Sequence, residues 1–517
     1  MLNQKKPSIF SGGEYLIPFF RKLMIKRCCT FEIERIETID FGKGLSMNIH
    51  KDRVIIIGAG PAGIACAFAL GSKGKPSLVI ERDEEAGGLC RTIDYSGYLF
   101  DIGGHRFLSK SDVINRLWNE TLGDELLKVQ RLSRIYYKKK LFKYPLSFLN
   151  TFWNLGMIES FRCIVSYMYC KLVRPGDDKT FEGWITNRFG KRLYDIFFNT
   201  YTMKVWDVPC KDISADWAVQ RIRGLSLRVA MKKALLGTKI RNTKAIYEEF
   251  YYPRKGPGQF YKKFKELTTQ LGTQFLCNNK VTCIKHDGQR MYSIMVKDDQ
   301  ENTESEIEID YLFSSIPLPI FVRSMLPSPP SDVLFAAERL RFRSFLIVNV
   351  IIDKENLFPD QWIYVHSPEV RLARIQNYKN WSPDMTADPK RTSLGLEYFC
   401  TEGDDLWQMN DVDLIDYAVK ELERIGIKSR KRLINGFVIR KANCYPIYSL
   451  EYQKHLRVIQ DYLRQFLNFQ TIGRAGLFRY DNSDQAMLSG ILAAKNYLEN
   501  SFVDLWGSGA EQEYLEM

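Results

Sequence analysis

The sequence predicts an α/β fold with three parts: a parallel sheet flanked by helices, a helical insert and a mixed β-sheet. A continuous apolar run at residues 54–57 leads into a glycine-rich turn and a helical pattern, as in a buried parallel strand followed by a helix. Between 148 and 245, apolar residues recur at three- and four-residue spacing, which predicts helices. Strand patterns with turn residues return at 275–316 and 342–400.

Length and composition limit the classes of protein that the chain can represent. Its 517 residues suffice for roughly two to four structural units, and 45% hydrophobic residues exclude global disorder. The formal net charge of +13 favours anionic ligands such as phosphates. Nucleic acid is disfavoured as a partner, because no dense Lys/Arg run is interleaved with aromatic residues.

Cysteine usage and hydropathy predict the compartment. The eleven cysteines are scattered, without a Cys-x-x-Cys pair, which predicts a reduced, cytoplasmic protein without a metal site. No stretch approaches the ~20 apolar residues of a transmembrane segment. Residues 14–27 are basic and amphipathic, and we interpret them as a solvated tail rather than a membrane contact. Residues 1–46 carry none of the motifs described below, so their role stays open.

The glycine-rich turn has the chemistry of a dinucleotide site. Gly58 permits the tight turn, Gly60 lets the backbone approach a pyrophosphate, and Gly63 lets helix and strand pack closely. The helix that follows offers unpaired N–H groups to the phosphates. Glu81, at the end of the second strand, is placed to accept hydrogen bonds from a ribose. The pattern predicts a Rossmann-like domain but does not separate FAD from NAD.

Two further glycine segments favour FAD over NAD. Residues 87–92 bring a glycine pair close to the cofactor a second time, as the extended FAD molecule requires. Residues 473–485 contain a late glycine segment and a helix start, similar to the segment that closes over the flavin in the amine-oxidase superfamily. The residues expected to contact FAD here are Gly88, Arg91, Gly473, Asp484 and Gln485.

A third glycine pair precedes a histidine at residues 100–107. Gly104 allows close backbone approach to the flavin ring, and His105 is then expected beside that ring. The alternative for a single histidine is a structural or surface residue. Its position directly after a glycine pair favours the loop that faces the ring.

From this point the sequence resembles the UDP-galactopyranose mutases, most nearly those of the eukaryotic type. The resemblance begins with Asp-Ile-Gly-Gly-His at 101–105 and extends over nearly the whole chain from Val54 to about Leu498. The other segments that carry it are 134–137, 144–145, 180–185, 204–209, 252–258, 380–383, 445–446 and 473–485.

The resemblance implies an activity and a set of site residues. Such enzymes use reduced FAD, with NAD(P)H as reductant, to interconvert pyranose and furanose forms of a UDP-sugar without net redox change. This chemistry serves cell-surface polysaccharide biosynthesis. The residues implied in catalysis are His105, Arg221 and Arg374, and those implied in substrate binding are Tyr144, Trp206, Tyr445 and Tyr480. Both arginines and the tyrosines at 445 and 480 would hold the pyrophosphate.

The chain also departs from the family pattern. Leu146 and Ser147 stand where eukaryotic mutases carry an aromatic and an amide that hold the uracil, and Thr202 replaces an Asn near the substrate. Asp484 matches the acid of bacterial members instead. The base and the sugar therefore stay open, and so does the question of a homo-oligomer.

The motifs together predict a discontinuous domain organisation. The predicted parts are an N-terminal extension (1–46), an FAD-binding domain (47–130, 250–320 and 470–517), a helical insert (148–245) and a mixed-sheet substrate domain (131–147 and 321–469).

Three alternatives compete with the mutase hypothesis. The strongest is an FAD-dependent oxidoreductase of the protoporphyrinogen-oxidase or amine-oxidase type, whose uncharged or apolar substrates need no pair of arginines. A non-catalytic FAD-binding scaffold would be favoured by loss of His105 or of the arginines, and neither is lost. A plain NAD dehydrogenase would lack the late glycine segment.

Removal of residues 1–46 tests the predicted extension. A chain that begins at Met47 is expected to retain FAD and activity, because no predicted site residue precedes Gly58. The measurement is the flavin-to-protein absorbance ratio of both purified proteins. Loss of flavin from the shorter chain would contradict the prediction.

Overall fold

The computed structural model describes residues 37–40, 46–49, 53–222 and 249–507, and of residues 37–40, 46–49 and 220–222 it describes the backbone alone. The chain divides into two compact units, Met1–Arg53 and Val54–Met517. In the first unit, Glu37–Asp40 and Ser46–Ile49 form an antiparallel hairpin. The following paragraphs concern the second unit.

A five-stranded parallel sheet lies under the glycine-rich turn. Its strands come from three separate stretches of chain, in the spatial order Gln274–Leu276, Leu78–Ile80, Val54–Ile57, Tyr311–Ser314 and Phe469–Thr471. The strand Val54–Ile57 is buried along its whole length, which explains its uninterrupted apolar sequence. The helix Pro61–Gly71 starts directly after the turn, with proline in its first turn, where a missing N–H costs nothing.

Small residues let the last helix pack tightly on the first one. A Cβ atom on Gly490, in the helix Ser483–Glu499, would lie 2.1 Å from the carbonyl oxygen of Ala62. The two helices therefore approach each other backbone to backbone. Further helices that contribute to the same core are Asp112–Leu122 and Pro257–Gln270, whose rings Trp118 and Phe260 stack at 3.9 Å.

The second large sheet has seven strands. Their spatial order is Leu433–Pro446, Phe342–Ile352, Thr392–Cys400, Arg374–Asn377, Trp362–Val365, Ser133–Tyr137 and Lys140–Lys143. All neighbouring pairs are antiparallel except Trp362–Val365 with Ser133–Tyr137, so the sheet is mixed. The last two strands form a hairpin around the lysine run at residues 138–140.

The pleat of this sheet separates two cores. Leu346 and Val348 pack with the helix Asp411–Arg424 on one face, whereas Phe345 and Ile347 pack with the helical insert on the other. The insert helices are Phe148–Leu155, Met157–Val173, Phe181–Phe189, Lys191–Leu193, Tyr194–Asn199, Thr200–Trp206 and Ala215–Ile222.

Smaller elements complete the unit. A four-stranded sheet has the order Thr303–Glu308, Met291–Asp298, Asn279–His286 and Met325–Leu326. Two further antiparallel pairs join Thr92–Tyr95 with Tyr98–Asp101, as a hairpin, and Leu126–Gln130 with the distant strand Glu249–Pro253. The remaining described helices of four or more residues are Leu318–Arg323, Ser331–Arg339, Asp405–Gln408, Tyr452–Leu463 and Gly473–Gly476. Short helical turns lie at Gly88–Cys90, Gly123–Glu125, Cys210–Asp212, Tyr378–Asn380, Pro383–Met385 and Arg430–Arg432.

The predicted α/β fold class is confirmed: a Rossmann-like parallel sheet, a helical insert and a mixed sheet are all present. Residues 223–245 of the predicted insert lie outside the described residues. Among the helices that the structure describes, none has both the length and the apolarity needed to cross a bilayer.

The contact at Gly490 generates a stability prediction. Alanine in a helix interior normally stabilises by up to about 1 kcal/mol relative to glycine. Gly490→Ala is expected to destabilise by about 1–3 kcal/mol instead, because its methyl group would meet the Ala62 carbonyl. Urea unfolding measures the change. Lys495→Ala, on the exposed face of the same helix, is the control and should stay within about 0.5 kcal/mol of the parent. A Gly490→Ala protein as stable as that control would refute the close packing.

Candidate functional site

A large cleft opens at the carboxyl ends of the parallel strands. It holds about 1380 Å³ of space free of protein atoms, counted with its open mouth, and this is ample for a dinucleotide. Ligands of open α/β sheets bind at this edge. Predicted site residues that line the cleft are Gly58, Gly60, Glu81, Gly88, His105 and Gly473.

The first glycine turn has the predicted steric roles. Gly58 has a φ of +96°, and a Cβ there would lie 2.3 Å from the Ser315 hydroxyl oxygen. A Cβ on Gly63 would lie 1.9 Å from the Gly58 carbonyl oxygen, so this glycine serves the packing of helix on turn. A Cβ on Gly60 would meet no atom within 4 Å, and Gly60 lines the cleft. The backbone at Gly60 is therefore open to a ligand.

Glu81 is fixed at the end of the second strand. Its carboxylate accepts hydrogen bonds from the backbone N–H groups of Ala59, at 2.7 Å, and Asp83, at 3.0 Å. These contacts join the acid to the glycine turn. Its side chain also lines the cleft, where a carboxylate can accept hydrogen bonds from ribose hydroxyls.

The later glycines bring distant segments to the same cleft. Gly88 has a φ of +56°, and Gly473 has a φ of +74° with its Cβ position 2.8 Å from that of Ala62. Asn482 and Ser483, at the start of the helix Ser483–Glu499, line the cleft opposite the first helix. Two helix N-termini thus border one cavity, an arrangement that suits the phosphates of a dinucleotide.

Arg91, Asp484 and Gln485, which were predicted to contact the cofactor, do not line the cleft. Arg91 pairs with Asp83 at 2.5 Å. Asp484 is buried, and the Gln485 side chain accepts a hydrogen bond from the backbone N–H of Asn482 in a capping box. Gln485 thus orders the helix start that borders the cleft. Cofactor contact by all three stays a prediction.

Asp83 itself faces the cleft together with Lys441. Lys441 Nζ lies 2.6 Å from a carboxylate oxygen of Asp83. Although burial raises the pKa of Asp83, its contacts with Lys441 and Arg91 hold that pKa below the usual value. This ion-pair network joins the second glycine segment to the strand Leu433–Pro446 of the mixed sheet.

His105 lies at the cleft, held by the loop before it. Its Nε2 is 3.0 Å from the carbonyl oxygen of Ile102, which can only accept, so Nε2 carries the proton. Nδ1 is 3.9 Å from Cys90 Sγ. Burial and the neighbouring cations Arg474 and Arg374 lower the pKa of His105 to about 4, so the imidazole is neutral near pH 7.

Gly104 lets this loop pack closely against the mixed sheet. A Cβ on Gly104 would lie 2.7 Å from the side-chain amide of Gln376. The loop therefore needs glycine at this position for its contact with the strand Arg374–Asn377. Gly104 does not itself line the cleft.

A cluster of cations and aromatic rings lies beside His105. Tyr445 and Tyr480 stack with centroids 5.4 Å apart, and Trp206 lies edge-on to Tyr480 at 5.9 Å. Arg474, which lines the cleft, places its guanidinium 5.3 Å from the Tyr445 centroid and 4.8 Å from that of Tyr480. Arg374 donates to the Tyr445 hydroxyl at 3.3 Å. The structure thus brings together four of the predicted site residues, namely Trp206, Arg374, Tyr445 and Tyr480.

A buried carboxylate orients Arg374. Glu397 is fully buried, and one of its oxygens lies 2.5 Å from Arg374 Nε. Its other oxygen accepts from Gln376 Nε2 at 2.6 Å. The pair raises the pKa of Arg374 despite its burial, so the guanidinium is charged.

Sequence reasoning missed Arg474, Glu397 and Gln376 as members of the site. A single acid within the apolar strand Thr392–Cys400 was the available signal for Glu397. Arg474 directly follows Gly473 in a segment that the sequence had already marked.

One predicted residue, Tyr144, lies apart from the cluster, and another, Arg221, has a side chain outside the described part of the chain. Tyr144 is 40% exposed and packs against Tyr364 at 4.8 Å. Tyr201 lies between Tyr144 and the cluster: its ring is 5.8 Å from that of Tyr364, and its hydroxyl interacts electrostatically with Arg374. The side chain of Arg221 lies outside the described residues, although its backbone belongs to the helix Ala215–Ile222.

Residues 61–436 of the chain match the family described as flavin containing amine oxidoreductase. The chain belongs to this family. Curated relatives match over short stretches: the inactive all-trans-retinol 13,14-reductase of Danio rerio is 48% identical over 50 residues, 10% of this chain and 8% of the relative. The L-amino-acid oxidase of Crotalus adamanteus is 31% identical over 87 residues, 17% of each chain. The chain thus spans a small part of these relatives' length.

Solved structures are similar over nearly the whole chain. A reduced UDP-galactopyranose mutase has a TM-score of 0.77 at 20% identity, covering 90% of this chain and 98% of its own. A putative protoporphyrinogen oxidase from Exiguobacterium sp. 255-15 has a TM-score of 0.66 at 16% identity, covering 88% and 100%. Identities this low establish the shared fold alone.

The residues present fit FAD, as the family implies. The open backbone at Gly60, the ribose acceptor Glu81 and the two bordering helix starts suit the adenosine diphosphate part. His105 and Arg474 line the same cleft and suit contact with the flavin part. Among the residues that the structure describes, no group of His, Cys, Asp or Glu side chains could hold a metal ion.

The open position at Gly60 generates a binding prediction. Gly60→Val would project a side chain into the cleft without a clash inside the fold, since a Cβ there meets nothing within 4 Å. FAD affinity is expected to fall roughly ten- to a hundredfold, because the backbone loses its approach to a charged group. Fluorescence titration of the flavin-free protein measures this. Lys73→Val, at an exposed position just beyond the same helix, serves as the control. Equal affinity of both variants would contradict the assignment.

Proposed function

We propose that the protein is a UDP-galactopyranose mutase-like flavoenzyme, which interconverts the pyranose and furanose forms of a nucleotide-sugar. The observation that carries the proposal is the convergence of Arg374, Tyr445 and Tyr480 around Arg474, which lines the cleft together with His105. Cations and phenols suit a pyrophosphate. The uncharged or apolar substrates of the alternative oxidoreductase would leave this cluster without a charged partner.

The cluster would bind the leaving nucleoside diphosphate. Arg374 lies against the buried Glu397 carboxylate through Nε and donates to Tyr445 through Nη2, and its guanidinium would add a charge-assisted contact to the pyrophosphate. Arg474 donates to the Asp481 carbonyl through Nε at 2.7 Å, and its other nitrogens are directed by that contact. Tyr445 and Tyr480 offer hydroxyl donors, and their stacking limits ring rotation.

Bound reduced flavin would supply the nucleophilic and electron-donating chemistry, and NAD(P)H is proposed as the source of its electrons. The chain's own part is to hold the substrate and to control protons. His105 keeps its proton at Nε2 on the Ile102 carbonyl, so Nδ1 is an acceptor at neutral pH. The imidazole would thus face the reacting groups without adding positive charge.

The second candidate is an FAD-dependent oxidoreductase. The family match and the names of the curated relatives, among them a retinol reductase and an L-amino-acid oxidase, favour it. The two candidates differ in their ligands: the mutase must bind UDP, and the oxidoreductase has no need to.

A UDP titration separates the candidates and tests the cluster. Removing Arg374 alone would leave the Glu397 carboxylate buried without its partner, so the chosen variant is Arg374→Gln with Glu397→Gln. UDP affinity is expected to fall roughly ten- to a hundredfold, because a charge-assisted contact is lost. The measurement is the change in flavin absorbance on addition of UDP.

Controls make the result specific. Arg464→Gln removes an exposed arginine that pairs with Asp461 and should bind UDP like the parent. Flavin content should be equal in all three proteins. If the parent itself fails to bind UDP, whether its flavin is oxidised or reduced, the nucleotide-sugar proposal is wrong and the oxidoreductase takes its place. Product analysis with UDP-galactofuranose and the dithionite-reduced parent then identifies the sugar.

A further inference from the structure

An exposed apolar stripe runs along one helix of the insert. In the helix Met157–Val173, large apolar side chains recur every three or four positions and face outward. Leu172 is 85% exposed and Ile158 is 74% exposed. The stripe consists of Met157, Ile158, Phe161, Val165, Met168, Tyr169, Leu172 and Val173.

The preceding helix extends this stripe around a corner. Gly156, with a φ of +86°, joins Phe148–Leu155 to Met157–Val173. Leu149 and Trp153 are also exposed, Trp153 by 72%. The ten side chains together define what we call the apolar ridge. Each exposes on the order of 100 Å², so the ridge presents on the order of 1,000 Å², well above the few hundred Å² usual for a monomer.

The charges beside the ridge are mainly positive. Arg162 and Lys171 are exposed on the same helix, on either side of the stripe. The sole carboxylate of the helix, Glu159, is occupied by Arg192, whose second contact with it is 3.0 Å. This part of the surface therefore attracts anions.

The lysine run of the hairpin adds to this positive charge. Lys140 Nζ donates to the Asn154 carbonyl at 2.5 Å, which places the hairpin tip beside the end of the first ridge helix. Lys138 and Lys139 are exposed at the same tip, and Lys138 interacts electrostatically with Glu159.

The exposed apolar side chains and the charges beside them together indicate the occupant of this surface. The ridge is a pair of helices with aromatic and branched side chains in its middle and basic side chains beside it, as in helices that lie in a membrane interface. A second copy packed symmetrically on this face would bring Arg162 and Lys171 of both copies together, which costs free energy. Anionic headgroups would instead complement the same cations.

We propose that the apolar ridge docks the protein on an anionic lipid bilayer, with the ridge side chains inserted at the interface and the lysine tip on the headgroups. No helix needs to cross the bilayer, in keeping with the lengths of the described helices. The catalytic proposal and this one are independent, since none of the ridge side chains lines the cleft.

Co-sedimentation with vesicles tests the proposal on the flavin-loaded protein. The vesicles contain phosphatidylcholine with about 30% phosphatidylglycerol, and pure phosphatidylcholine vesicles serve for comparison. The parent is expected to bind the anionic vesicles. Phe161→Ser with Leu172→Ser should weaken the partition on the order of tenfold or more, because two exposed apolar side chains no longer insert. Arg162→Gln with Lys171→Gln should weaken binding to the anionic vesicles alone.

The control is Val412→Ser with Leu467→Ser, which changes two equally exposed apolar side chains away from the ridge. It should bind like the parent, and all variants should keep their flavin. The proposal fails if the parent stays in the supernatant, or if the ridge variant binds as well as the control. Sedimentation velocity tests the alternative that a second copy covers the ridge. If the parent is a dimer that does not bind vesicles, and the ridge variant is a monomer, the ridge is an interface between two copies.

Discussion

The site depends on the close approach of backbones around the helix Pro61–Gly71. On one side, Gly63 lets this helix press against the turn at Gly58; on the other, Gly490 lets the last helix press against Ala62. These contacts leave no room for a methyl group. They bring the first and last glycine segments to the same cleft, where each provides one wall. The binding cavity is thus a result of packing between the two ends of the unit.

Charged groups of both signs surround the cleft. Glu81 and Asp83 present carboxylates near the glycine turn, and Asp83 is paired with Lys441. Arg474 lines the cleft together with His105, and Arg474 and Arg374 help to hold the imidazole neutral. The site thus offers hydrogen-bond acceptors as well as cations. Arg374 cannot turn away from the buried Glu397 without leaving that carboxylate unpaired.

Local sterics made much of the fold and part of the site predictable from the sequence. The glycine turn, Glu81 and the strand and helix starts follow from short-range patterns, and they are found where the patterns placed them. The pairing of Arg374 with Glu397 was out of reach, because it depends on the register between two neighbouring strands. Helix capping by Gln485, in contrast, was readable from the sequence, because Asn482 followed three residues later by a glutamine is the signature of a capping box. The site roles of Tyr144, Tyr445 and Tyr480 were predicted only from the resemblance to a family, because these residues are far apart in the sequence. Their roles remain proposals.

The interleaved order of the parallel strands has a consequence for biosynthesis. The strand Phe469–Thr471 pairs with Tyr311–Ser314, and Gly473 and the helix Ser483–Glu499 follow it in the chain. These segments are made later than the first glycine turn, because they follow it by about 400 positions in the chain. A nascent chain that has reached only the first glycine turn therefore lacks this side of the cavity. The cleft is complete only when residues far apart in the sequence have come together.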